Sequence, residues 1–90
     1  MATLQERKTH RRAILEALYG AVEANRPDVS GATLGDDLAL PEADLAAACA
    51  YLAGEGLVAV EWTSHKTPAR ATLTHEGIRL MEAEEEERGG

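Results

Sequence analysis

Between Thr9 and Asn25 the apolar side chains Ile14, Leu15, Leu18, Tyr19 and Val22 recur at spacings of three and four. That period puts them on one stripe of an amphipathic helix. Thr3 and Glu6 have the spacing of a capping box, which would start the helix earlier, through a segment that Lys8, Arg11 and Arg12 make polar all round. Residues 1–8 therefore read as a polar extension or as the beginning of the first helix. Pro27 lacks an amide hydrogen and disfavours helical geometry in the residue before it, so this helix ends near Asn25.

After the short extended stretch Asp28–Val29, Ser30 caps a second helix of about eight residues with Leu34 and Leu38 turned inward. Leu40 and Pro41 reset the chain, and proline suits the start of a third helix because its missing donor has no partner there anyway. Leu45, Ala48, Cys49 and Leu52 then follow at helical spacing until Gly54 and Gly56. Two helices joined so closely form a helix-turn-helix. Gly56 permits the left-handed turn that drops Leu57 beneath Leu52.

Leu57–Trp62 and Arg70–Thr74 are rich in β-branched and apolar residues and predict a hairpin across the polar loop Thr63–Ala69. Trp62 reads as a core or half-buried strand position. Thr74 is an N-cap for a last helix with Ile78 and Met81 inward, which runs until the glutamates of Glu84–Glu87 remove all hydrophobic contrast. The fold class is thus mainly α with a small β-hairpin, in the order helix, helix, helix, strand, strand, helix. Residues 9–84 form the domain and 85–90 an acidic, frayed end. The core combines Leu34, Leu38, Leu45, Leu52 and Leu57 with Leu15, Leu18 and Val22.

A length of 90 residues allows one small domain with one core. No long apolar run and no basic stretch followed by an apolar segment is present, so the expectation is a cytoplasmic protein without membrane contact. One cysteine, Cys49, excludes an internal disulfide, and with three scattered histidines it makes no zinc site. No cofactor motif appears. The adjacent carboxylates Asp36 and Asp37 diverge by about 100° on a helix, and nothing pairs a nucleophile with a base, so no enzyme is expected.

Charge changes the picture more. The chain carries −7, yet residues 1–12 are net +3 through Arg7, Lys8, Arg11 and Arg12 against Glu6. No lysine or arginine lies between Arg26 and Lys66. An acidic total argues against coating nucleic acid by bulk electrostatics and leaves a local basic patch open.

Three strings in this order resemble the winged helix-turn-helix superfamily over residues 9–84. Ser30–Pro41 is similar to its second helix and tight turn, Tyr51–Val58 to the exit of its third helix into the wing, and Leu73-Thr-His-Glu-Gly-Ile78 to the start of its final helix. The resemblance implies a DNA-binding transcriptional regulator whose third helix enters the major groove and whose wing reaches the backbone. Carried over by position, Glu42, Ala43, Asp44, Ala46, Ala47 and Ala50 would face the groove. The two carboxylates depart from the family's habit, because such a helix ordinarily gains affinity by neutralising phosphates.

The DNA-binding candidates are accordingly Arg7, Lys8, Arg11, Arg12, Lys66 and Arg70 for phosphates, with Asp44 and Ala47 in the groove. Arg12 and its neighbours have an alternative use, pairing with Glu84–Glu87. The expected partners are duplex DNA and a second copy of the chain, through helices one and four. The competing reading is a protein-interaction or assembly module without DNA affinity, favoured by the acidic, alanine-rich third helix.

Overall fold

The computed structural model describes residues 2–89; Met1 and Gly90 lie outside them. The elements are α1 (Leu4–Glu23), β1 (Asp28–Ser30), α2 (Gly31–Leu38), α3 (Glu42–Gly54), β2 (Val58–Trp62), β3 (Pro68–Leu73) and α4 (His75–Gly89). Helix α1 starts at Leu4 because Thr3 and Glu6 cap each other. The Glu6 N–H donates to the Thr3 hydroxyl at 3.1 Å, and the Thr3 N–H donates to the Glu6 carboxylate at 3.0 Å. At the far end Asn25 takes a left-handed φ of 62°, and the Arg26 N–H reaches back to the Ala21 carbonyl at 2.8 Å. Asparagine is among the few side chains that tolerate this conformation.

A third strand joins the expected hairpin. The sheet runs β1-β3-β2 with both pairs antiparallel, so the predicted hairpin is joined by Asp28–Ser30. Three residues are too few to show a period of two, and it is the free edge of β3 that makes them a strand, with Val29 opposite Ala71. Strand β3 also begins at Pro68, where proline is tolerated as a first strand residue, with Pro68 opposite Trp62 beyond a register shift at Glu61/Trp62. Trp62 is 42% exposed rather than core. It is the last residue of β2 and lies past the edge of the packed layer.

The corner that joins α3, the hairpin and α4 is built from a few backbone bonds. Gly56 has φ 77°, and the Leu57 N–H bonds the Leu52 carbonyl at 3.0 Å, which closes α3 and brings Leu57 against the core. The Thr74 N–H donates to the Leu57 carbonyl at 3.0 Å, its hydroxyl donates to the Gly56 carbonyl at 2.6 Å, and the same oxygen accepts from the Gly77 N–H at 3.1 Å. A Cβ on Gly77 would run into the Leu57 carbonyl oxygen. Threonine and glycine three apart are thereby both required for α4 to leave the sheet at this angle.

Ile14, Leu15, Leu18, Leu34, Leu45, Ala48, Cys49, Leu52, Val58, Ala71, Leu73 and Met81 form one buried cluster. Val22, Leu38 and Leu57 pack against it half-buried. Helix α4 continues through the glutamate run to Gly89, past the point where the loss of hydrophobic contrast puts its end. Its continuation is held by α1: Arg12 pairs with Glu84, and the Tyr19 hydroxyl donates to Glu85 at 2.8 Å.

Candidate nucleic-acid interface

Helix α3 buries Leu45, Ala48, Cys49 and Leu52 and leaves Ala43, Ala47, Ala50 and Tyr51 exposed on the opposite side. Pro41 is its N-cap, without a side-chain bond, and Glu42 and Asp44 occupy the first turn, where they complement the helix dipole. Of the positions expected to face a groove, Asp44 and Ala46 are half-buried on the flanks, while Glu42, Ala43, Ala47 and Ala50 are exposed.

One flank of this face is walled by the first turns of α1. A cleft of about 570 Å³ runs between the two helices, lined by Arg7, His10 and Arg11 on one wall and by Ala43, Asp44, Ala47, Ala48 and Tyr51 on the other. Arg7, His10 and Arg11 share one side of α1 because residues three and four apart stack above one another. The Arg11 guanidinium carbon sits over the Tyr51 ring, 3.5 Å from its centroid. Among the described residues no carboxylate is within ion-pair distance of Arg7, Lys8 or Arg11, Asp44 included. Such a cluster can receive an anionic oxygen without breaking an internal pair.

The remaining candidates divide. Arg12 is committed to Glu84 and ties α1 to α4, away from α3. Arg70 pairs with Glu61 across the β2–β3 ladder at 3.3 Å, both exposed. Lys8 is exposed on α1. Lys66 is exposed in the wing and has a left-handed φ of 61°. Its loop is fastened by Thr63: the Thr63 N–H donates to the Thr67 carbonyl at 2.8 Å, the Lys66 N–H to the Thr63 carbonyl at 3.0 Å, and the two threonine hydroxyls meet at 2.8 Å.

Sequence reasoning brought Arg7, Arg11, Asp44 and Ala47 forward, and the structure lines one cleft with them. It missed His10 and Tyr51, which line the same cleft. The spacing of Arg7, His10 and Arg11 on one helical side was available as a signal for the first; nothing local to Tyr51 shows that α1 crosses it. Burial pushes the Cys49 thiol up to about 11, consistent with a packing role. Among the described residues no group of histidine, cysteine or carboxylates is placed to hold a metal, and no helix is long and apolar enough to cross a membrane.

The chain is similar in structure to a MarR family regulator from Neisseria meningitidis, with a TM-score of 0.62 and 23% sequence identity. The likeness takes in 86% of this chain and 54% of that one. No protein-family model matches the chain, and no curated protein matches it. The likeness and the element order together define the class: a mainly helical, winged-helix-like domain with a small three-stranded antiparallel sheet.

Proposed function

We propose that this domain binds duplex DNA as part of a transcriptional regulator and performs no catalytic step. In this reading α3 enters the major groove, Arg7, Lys8 and Arg11 contact phosphates beside it, and Lys66 meets the backbone from the wing, where Arg70 is held by Glu61. The observation that carries the reading is the placement of Arg7, His10 and Arg11 along the flank of α3. The helix has no cation of its own, and α1 supplies two guanidiniums next to its outward face that have no carboxylate partner among the described residues. The wing adds support, since Lys66 is exposed in its loop. Arg12 is left out of the interface because Glu84 holds it. The protein acts in the cytoplasm as a homodimer through α1 and α4, on which Leu4 and Leu80 are exposed apolar side chains.

A titration of labelled mixed-sequence duplex, followed by fluorescence anisotropy, tests the reading. With about four phosphates neutralised, log affinity falls against log salt with a slope near −3.6, roughly a hundredfold between about 50 and 200 mM. Absence of binding at about 50 mM salt overturns it. The second reading, an assembly module without DNA affinity, is favoured by the uncharged outward stripe Ala43, Ala47 and Ala50 and predicts that absence.

A further inference from the structure

We infer that Tyr51 is a positioning residue of the interface: by stacking on the Arg11 guanidinium it fixes that group beside α3, ready for a DNA backbone phosphate. The inference rests on the DNA-binding reading of the same surface. Tyr51 is 46% exposed and makes no contribution to the buried cluster, so its exposed ring needs another account. What it meets is Arg11, at 3.5 Å from guanidinium carbon to ring centroid.

An arginine stacked on an aromatic face keeps its in-plane N–H donors for a further acceptor, which a salt bridge to a carboxylate would consume. Arg11 has no such carboxylate among the described residues. A free arginine also loses rotamer freedom when it meets a phosphate, and a group already held on a ring loses less. Tyr51 follows Ala47 by one turn, so the held guanidinium flanks the outward face of α3. Arg7, one turn before Arg11 on α1, provides the second cation of the same cleft. Lysine at position 11 would lack both the flat stacking and the fork of donors.

The test measures binding of the labelled mixed-sequence duplex over a range of salt for the full chain and its variants, each first shown folded by circular dichroism. Tyr51→Ala lowers affinity roughly three- to tenfold at about 50 mM salt and leaves the salt slope nearly unchanged, because Arg11 keeps its charge. Tyr51→Leu, which restores bulk without a π face, does the same, while Tyr51→Phe stays within about twofold of wild type. Arg11→Ala loses at least as much and flattens the slope by about 0.9, one phosphate's share, and the double variant Arg11→Ala with Tyr51→Ala is no weaker than Arg11→Ala alone. If wild type binds and Tyr51→Ala stays within about twofold of it, or its loss adds to that of Arg11→Ala, the inference falls and the DNA reading stands. If wild type itself fails to bind at about 50 mM salt, both fall together.

Discussion

Gly77 and Gly20 show how differently the same residue type is used. A Cβ at Gly77 would collide with the Leu57 carbonyl oxygen and lie 2.7 Å from Leu73 Cδ1, whereas one at Gly20 would meet nothing within 4 Å. Gly77→Ala should therefore cost roughly 1–3 kcal/mol through forced overpacking. Gly20→Ala, exposed in the last turn of α1, should add up to about 0.5–1 kcal/mol through helix propensity. Urea unfolding of both variants checks the contrast, and equal shifts would contradict the geometry of the α3–sheet–α4 corner. At this scale the sequence was informative where a residue's chemistry acts locally. The Thr3–Glu6 cap, the Gly56 turn and the buried Cys49 follow from side-chain type and spacing. Trp62 was misread because its exposure depends on where the packed layer stops, and the Tyr51–Arg11 stack depends on a helix crossing between residues forty apart in sequence.

Among the elements, α4 is the one whose extent depends most on a partner. Its glutamates have no apolar contrast of their own, yet it continues to Gly89, and the start of the run is held on α1 by Arg12 at Glu84 and Tyr19 at Glu85. The hydrogen bond to Glu85, then desolvation and the charges of Glu85, Glu23 and Glu82, push the Tyr19 hydroxyl up to about 12 from an ordinary 10. The native state thus favours the protonated phenol. Its contribution to stability is complete below pH 10 and is lost as the pH rises from 10 to about 12. The stability difference between wild type and Tyr19→Phe should shrink across that window, by a modest amount because the pair is solvent-exposed. A difference constant with pH would show that the bond does not hold the helices together. The elements were otherwise legible from period and punctuation, apart from β1, whose three residues become a strand only through β3. Arg12, which the sequence allowed either to meet DNA or to pair with the acidic end, makes the second of these contacts within the chain.

For the whole molecule, net charge is a poor guide to what the surface offers. The chain carries −7, but its carboxylates and cations are sorted by the fold. Arg12 and Arg70 are matched internally, while Arg7, Lys8, Arg11 and Lys66 have no carboxylate partner among the described residues. Those four belong to α1 and the wing, and two of them line the flank of α3. The fold class was legible in advance because helix period, caps and glycine turns agree with one another. The candidate interface was legible only in part, since a cleft between α1 and α3 is a property of packing. Backbone amide chemical shifts of labelled protein, followed during titration with duplex DNA at low salt, test the central claim most directly. The account predicts perturbations at residues 7–11 of α1, 43–51 of α3 and 63–67 of the wing, with the end of α4 unmoved. Perturbations confined to α4, or none at saturating DNA, would contradict it.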